Sequence, residues 1–190
     1  MASFAEKPIL ALDAVGEWDR WLETTDSTDG VRLRVRKKSS TAPGLTYDEA
    51  LDVALCHGWI DGQIGALDAD YTLQSFTPRR RNSPWSRRNV GHVERLVAAG
   101  LMRERGQAEV DRAKADGRWD AAYQQGGASV PDDLQRALDT DPQAARFFET
   151  LSAQNRWAII FRLSQLKRAE TRERNIAKYV AMLARGETIY

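Results

Sequence analysis

The part of the sequence that decides the fold is residues 56–89, which read CHGWIDGQIGALDADYTLQSFTPRRRNSPWSRRN. Residues 59–66 and 71–77 follow a two-residue repeat, the period of strands. The four residues between them, 67–70, are a connection of the length found in hairpins. We therefore predict a β-hairpin in this stretch. One face of its first strand would carry Trp59, Asp61, Gln63 and Gly65.

Regular patterns upstream of the hairpin predict the other elements of the N-terminal half. Residues 8–12 are predicted to form a short strand, and Asp13 is predicted to N-cap the helix that follows it. A second strand begins at Val31, and its outer face would carry Arg32, Arg34, Arg36 and Lys38. Thr46 and Glu49 have the spacing of a capping box at the start of another helix. The predicted fold is α+β: a small antiparallel sheet of about four strands with helices on one face.

The C-terminal part of the chain has helical periodicity and no strand pattern. The glycine-containing run 124–129 is the predicted linker. It separates a predicted α+β domain, residues 1–125, from an all-α segment, residues 130–190. Within that segment the helix around residues 157–166 is apolar on nearly all sides, so we expect it to lie at the centre of a bundle.

A cluster of five arginines lies between the hairpin and the next helix, within residues 79–88. Ser83 is predicted to N-cap this helix, with Pro84 at its first position. Arg79 and Arg80 would then lie near a helix N-terminus, whose free N–H groups favour an anion. Arginine forks bind carboxylate or phosphate bidentately, and Trp85 offers a ring for stacking.

These features together predict a binding site for a small anionic ligand. The predicted site residues are Trp59, Asp61, Gln63, Arg79, Arg80, Trp85, Ser86 and Asn89. A structural explanation stays open for each part of this site. Asp61 follows a tight turn and would accept backbone N–H bonds there, whereas the arginines would pair with acids of the chain and Trp85 would belong to the core.

Two other functions are open on the same residues. A single-stranded nucleic acid would bind across the predicted site and the strand with Arg32, Arg34 and Arg36. A small enzyme would use Asp61 as a general base, close to Arg79 or His92 after folding. We predict no catalytic residue, and a binding protein is the leading hypothesis.

Composition restricts the remaining classes of function. Cys56 and His57 are sequence neighbours, whose side chains diverge at a helix end, so they make a poor nucleophile and base pair. Two His and one Cys lack the spacing of metal ligands, and we predict neither a metal nor a cofactor. A net charge of +1 gives no strong overall field toward nucleic acid. The oligomeric state is left undetermined, and the expected partner is a small anionic ligand or another protein.

The N-terminal residues and the cysteine count indicate the cellular compartment of the protein. No basic segment followed by a long apolar run precedes residue 20, and no window reaches the roughly 20 apolar residues of a membrane helix. A single Cys forms no internal disulfide. We therefore expect a cytoplasmic protein without membrane insertion.

Several short motifs resemble the bacterial YdeI/OmpD-associated family, which is linked to bacteriocin protection. In the N-terminal half they are Leu45-Thr-Tyr-Asp-Glu-Ala-Leu51, Gly58-Trp-Ile-Asp-Gly-Gln63, Phe76-Thr-Pro-Arg-Arg80, Trp85-Ser86 with Asn89, and Asp116-Gly-Arg-Trp-Asp-Ala-Ala-Tyr123. In the C-terminal half they are Pro131-Asp-Asp-Leu134, Phe147-Phe148, Glu170-Thr-Arg172 and Met182-Leu-Ala-Arg-Gly186. The resemblance covers nearly the whole chain.

What the resemblance implies is a role in tolerance of bacteriocins, antimicrobial peptides or envelope stress, without an established reaction. The family name also refers to an outer-membrane porin. Because we expect a cytoplasmic protein, we do not expect a porin as its partner.

Overall fold

The computed structural model describes residues 3–123 and 129–190, and the chain divides into two compact units, Met1–Tyr123 and Gln124–Tyr190. The strands are β1 (Ile9–Leu10), β2 (Val31–Arg36), β3 (Trp59–Ala66) and β4 (Tyr71–Pro78). The helices of the first unit are α1 (Val15–Thr24), α2 (Tyr47–Cys56), α3 (Arg87–Ala98) and α4 (Glu104–Ala115). Those of the second unit are α5 (Asp132–Asp139), α6 (Pro142–Thr150), α7 (Ala153–Ser164) and α8 (Ala169–Ala184). The predicted α+β class is confirmed.

The strands form one sheet in the order β1-β2-β4-β3. The hairpin of β3 and β4 is antiparallel, as is the pair of β2 and β4. The pair of β1 and β2 is parallel, which corrects the prediction of a wholly antiparallel sheet. The reason is the connection between them: α1 crosses over from β1 and returns the chain in the same direction.

A β-bulge interrupts β3 between Asp61 and Ile64. Two residues, Gly62 and Gln63, face the single residue Ser75 of β4 there, because the pairing runs from Asp61 with Phe76 to Ile64 with Gln74. The extra residue shifts the alternation of side chains by one. Gly65 therefore lies on the opposite face from Trp59 and Asp61, which corrects the predicted row of four.

The core of the first unit lies between the sheet and its helices. Cross-strand partners share a face, so Val31, Asp61 and Phe76 belong to the helix-covered face of the sheet. A cluster of aromatic rings fills this core, with Trp59 edge-on to Trp18 and Trp21 at centroid distances of 6.4 and 5.6 Å. The core residues of this unit include Trp18, Leu22, Leu33, Leu51, Leu55, Trp59, Phe76, Trp85, Val93 and Val110.

Two helix starts differ in how well the sequence predicted them. The capping box of α2 is confirmed, since Glu49 Oε2 accepts from the backbone N and Oγ of Thr46 at 2.8 and 2.7 Å. The start of α3 is three residues later than predicted: Ser86 is the N-cap, and its Oγ accepts from Asn89 N at 3.1 Å. Ser83 instead closes a turn by accepting from Arg80 N at 3.0 Å. Likewise the N-cap of α1 is Ala14 and not Asp13.

The last helix of the first unit, α4, packs very closely on the end of α2. A Cβ atom added to Gly106 would lie 2.0 Å from the carbonyl oxygen of Cys56. That oxygen also accepts from the backbone N of Arg103 at 3.1 Å. Only glycine fits at this crossing, and the crossing fixes which residues of α4 face the sheet.

The second unit is all helical over the residues described, 129–190. Its core consists of Leu134, Leu138, Ala144, Phe148, Leu151, Ile159, Leu163, Ile176, Tyr179 and Leu183. An ion pair between Arg172 and Asp133 joins α8 to α5, and Arg172 Nη1 also donates to Leu163 O at 2.6 Å. Positions 124–128 of the predicted linker lie outside the described residues. In the described part of the chain, no helix is long and apolar enough to span a membrane.

Candidate functional site

Arg79 is the most unusual side chain of the first unit, because it is a charged group that is only 7% exposed. It follows directly on β4, and its backbone N donates to Gly58 O at 2.9 Å. Its guanidinium carbon lies 3.5 Å from the centroid of the Trp85 ring, and Nη1 donates to Pro84 O at 3.2 Å. Burial lowers the pKa of Arg79 to about 10, so the guanidinium keeps its charge at neutral pH.

The other edge of this guanidinium is unpaired. Among the residues that the structure describes, Nε and Nη2 of Arg79 have no hydrogen-bond partner, although both atoms are buried. Nε and Nη2 form one edge of the planar group, with N–H bonds that point the same way. This is the edge that binds carboxylate or phosphate bidentately. The site therefore has two parallel donors to offer.

Trp85 and Trp59 are core residues and not exposed stacking surfaces. Trp85 is 2% exposed and packs at 4.8 Å, centroid to centroid, against Trp119. Trp85 thus fixes the plane of Arg79, whereas Trp59 is fully buried against the indoles of α1. The structural explanation for Trp85, that it belongs to the core, therefore applies to both side chains.

Asp61 lies near Arg79, and its direct partner is a tyrosine. Tyr47 of α2 donates its hydroxyl to Asp61 Oδ2 at 2.8 Å. Burial and the nearby Asp61 charge raise the pKa of Tyr47, so the hydroxyl stays protonated and remains a donor. His92, the other predicted neighbour of Asp61, pairs instead with Asp52 at 2.8 Å. The structure therefore brings Asp61 together with Arg79 and Tyr47 but not with His92.

The remaining predicted site residues separate into buried and exposed groups. Ser86 and Asn89 are buried in the first turn of α3, where they form its cap. Gln63 is exposed within the bulge of β3. Arg80 is exposed as well, on the turn that Ser83 closes. The eight predicted residues thus do not form one continuous surface.

The arginines of β2 are engaged within the chain. Arg32 Nε donates to Lys7 O at 2.9 Å, and Arg36 Nη1 donates to Ser40 O at 2.7 Å. Arg34 forms an ion pair with Asp13. The N-terminal segment and the loop after β2 therefore cover much of the cationic strand face that the sequence predicted to be open.

Glu109 of α4 is a site residue that the sequence did not reveal. Its Oε1 is ion-paired with Arg112, whereas Oε2 is buried and lacks a hydrogen-bond partner within the described ranges. It is the leading acidic influence on Arg79. No local pattern marks Glu109, since it is one of many charges on a polar helix; only the tight crossing at Gly106 places it.

A separate cavity of about 360 Å³ lies over α2, between α1 and the end of α3. Its floor is apolar, with Val53, Cys56 and Leu96. Its two arginines are both ion-paired, Arg95 with Asp52 and Arg103 with Asp19. Burial raises the pKa of the Cys56 thiol to about 11, which makes this thiol a poor nucleophile. Across residues 3–123 and 129–190, no three His, Cys, Asp or Glu side chains are arranged to hold a metal ion.

Comparison with known proteins gives two family matches and no closer relative. Residues 128–186 match the family described as bacteriocin-protection, YdeI or OmpD-associated, which bears out the resemblance over the C-terminal part of the chain but not over the N-terminal motifs. Residues 10–109 match a domain of unknown function, DUF8412. No curated protein and no solved structure matches the chain. Since the match over residues 10–109 covers just over half of the 190 residues, the chain belongs to the DUF8412 family.

Proposed function

We propose that the chain is a non-enzymatic binding protein that holds a small carboxylate- or phosphate-bearing ligand at Arg79. We further propose that this binding serves tolerance of bacteriocins or antimicrobial peptides. The second part is supported by the family match of residues 128–186. The first part is supported by the geometry around Arg79 alone.

The single observation that carries the proposal is the unpaired Nε and Nη2 edge of Arg79. A buried charged donor without a partner costs more free energy than a neutral one, of the order of 1–3 kcal/mol or above. A bound oxyanion would supply both missing acceptors and a compensating charge. The stacking on Trp85 and the bond to Pro84 O hold the fork in place, so little side-chain entropy is lost on binding.

Burial also limits the ligand. Because Nε and Nη2 are shielded from solvent, the ligand must be small or must displace a covering side chain. Asp61 contributes a negative charge nearby but is engaged by Tyr47, so we assign it a role in shaping the site and not in contacting the anion. Arg79 and Trp85 are thus the two predicted residues that the proposal retains as the centre of the site.

The alternative functions have less support. A nucleic-acid surface needs open arginines, and those of β2 have partners within the chain. An enzyme needs a base within reach of a substrate proton, and the Asp61 carboxylate already accepts from a tyrosine hydroxyl that keeps its proton. The nucleic-acid alternative is kept as an outcome of the experiment.

The test compares wild type with Arg79→Lys, which keeps the charge and loses the fork. Phosphate, acetate and short oligonucleotides are screened by thermal shift, and any hit is measured by calorimetry. We expect an anion to raise the melting temperature of wild type, and Arg79→Lys to weaken its affinity by about tenfold because bidentate geometry is lost. Arg81→Lys, the same change at an exposed position two residues away, should leave affinity unchanged.

Two results would overturn the proposal. Equal anion affinity in wild type and Arg79→Lys would place the ion elsewhere on the protein. Absence of any shift with anions, together with oligonucleotide binding that falls steeply with salt, would favour the nucleic-acid hypothesis.

A further inference from the structure

Arg79 and Glu109 lie on two sides of Gly58. The carbonyl of Gly58 accepts from the Arg79 backbone N at 2.9 Å. A Cβ atom at Gly58 would lie 3.0 Å from Cγ of Glu109, so the absence of a side chain leaves room for the Glu109 stem. Gly58 also has a φ of +74°, which glycine adopts without strain. The Arg79 backbone and the Glu109 stem therefore both lie against Gly58, and the charge of Glu109 acts on the Arg79 guanidinium.

The hydrogen-bonding capacity left over at this point is specific. Arg79 leaves two parallel donors, Nε and Nη2, without partners in the described part of the chain, and Trp85 leaves a third, Nε1. Glu109 leaves one acceptor, Oε2. A simple carboxylate would satisfy the donors and leave the acceptor unpaired. A ligand that carries a donor of its own beside the carboxylate would satisfy both.

Charge leads to the same conclusion. The guanidinium of Arg79 and the carboxylate of Glu109 have opposite charges, and Asp61 and Arg118, which also act on Arg79, are opposite in sign as well. A ligand with only a negative charge would be attracted by Arg79 and repelled by the carboxylate of Glu109. A zwitterion adds no net charge, and each of its ends meets an opposite charge.

We propose that the ligand of the Arg79 site is a small α-amino carboxylate, with its carboxylate on Arg79 and its ammonium on Glu109. This inference rests on the proposed function and adds the chemical class of the ligand to it. Glu109 is then the residue that selects zwitterions over plain acids and over phosphate. Because the unpaired atoms found in the described part of the chain are shielded from solvent, we expect a ligand with a small side chain.

The test uses three probes of nearly equal shape, L-alanine, L-lactate and propionate, which differ only in an ammonium, a hydroxyl or a hydrogen on the α-carbon. Affinities are measured by calorimetry for wild type, Arg79→Lys, Glu109→Gln and Glu104→Gln. Glu104 is an exposed acid on the same helix and serves as the control. Circular dichroism and the melting temperature without ligand establish that each variant is folded.

For wild type we expect L-alanine to bind at least about tenfold more tightly than propionate, with L-lactate between them, because a hydrogen bond to a charged group is added. Glu109→Gln should reverse the order, since the amide no longer compensates the ammonium and the site becomes cationic. Glu104→Gln should behave as wild type.

The outcomes separate this inference from the proposed function. If wild type bound propionate or phosphate as tightly as L-alanine, and Arg79→Lys weakened that binding, the ligand class would be overturned. The anion site at Arg79 would remain in place. An equal gain of affinity for all three probes in Glu109→Gln would also overturn it, because Glu109 would then be a competitor that closes onto Arg79. Identical results in wild type and Arg79→Lys with every probe would overturn the proposed function itself.

Discussion

Several arginines of the first unit lie over aromatic rings, and two of them, Arg34 and Arg79, differ in whether they have a carboxylate partner. Arg34 lies 4.5 Å from the Tyr71 centroid and is ion-paired with Asp13, although its Nε lacks a bond. Arg79 lies 3.5 Å from the Trp85 centroid and has no such pair within residues 3–123. Stacking on a ring orients a guanidinium, whereas a carboxylate supplies the hydrogen-bond acceptors and the opposite charge that the guanidinium needs. An oriented arginine without one is the better candidate for binding a ligand.

Among the substitutions that test the surroundings of Arg79, Gly106→Ala is expected to lower the free energy of unfolding most. The new methyl group would overlap the Cys56 carbonyl, which forces α4 away from α2 and moves Glu109 away from Gly58 and Arg79. We expect a loss of about 2 kcal/mol or more in the free energy of unfolding, as for overpacked cores. Urea unfolding followed by Trp fluorescence measures it, since five of the six Trp lie before residue 124.

Gly91→Ala provides the matched control. Gly91 is inside α3, and a Cβ atom there would have nothing within 4 Å. The same substitution should stabilise the protein by roughly 0.5–1 kcal/mol, because alanine is the better helix former. Equal destabilisation by both changes would contradict the close crossing of α4 and α2.

Replacing Arg34 or Arg79 by methionine is expected to change the free energy of unfolding less than Gly106→Ala does. The direction of the change should differ between the two arginines. Arg34→Met removes a partly exposed ion pair and should cost less than about 1 kcal/mol of unfolding free energy. Arg79→Met removes a buried charge whose pKa is lowered by burial, which is a destabilising charge at neutral pH. Stability should therefore be unchanged or higher, while anion affinity is lost.

The same unfolding measurement decides this pair of variants. A loss of several kcal/mol in Arg79→Met would show that the guanidinium is paired with a protein acid in solution, with Glu109, the acid that acts on it most strongly, as the candidate. Arg79 would then have a carboxylate partner, as Arg34 does, and its guanidinium would need no ligand.

The smallest effect concerns Asp19, a carboxylate that has its partners in place. The hydrogen bond from His57, and then that from Arg103, hold the pKa of Asp19 below its usual range. Because the folded pKa is depressed, the stability it contributes is present above pH 4 and is lost as pH falls through the folded value. Asp19 is about one third exposed, so solvent screening keeps this contribution small. Urea unfolding at a series of pH values should thus find wild type slightly more stable than Asp19→Asn at neutral pH, with the difference shrinking toward zero as pH falls through the folded pKa of Asp19.

Much of the fold could be predicted because its signals are local. The capping box at Thr46 and the alternation of β2 depend on residues within a few positions of each other. The start of α3 was missed because both Ser83 and Ser86 are good N-caps, and the choice depends on pairing of Ser86 with Tyr123, far along the chain. The parallel β1 pair was missed because two residues carry no directional signal.

The site could be predicted only in part, for the same reason. Arg79 and Trp85 stand close in sequence, and both were predicted as site residues, although Trp85 was expected to stack on a ligand and not on Arg79. Their burial, however, depends on packing across the unit. Glu109 and Tyr47 enter the site from two helices, and no spacing in the sequence relates them to Arg79. The bulge of β3, which separates Asp61 from Gly65, adds one residue that alternation cannot foresee.

That bulge also bears on how the edge of the sheet would meet a strand of another molecule. β3 is an edge strand of eight residues with Ile64 65% exposed, a combination that invites another strand to pair with it and start aggregation. The doubled residues at Gly62 and Gln63 break the regular spacing of backbone donors and acceptors, so an incoming strand finds no continuous ladder. The irregularity that defeats prediction from the sequence is thus a safeguard against fibre-like assembly.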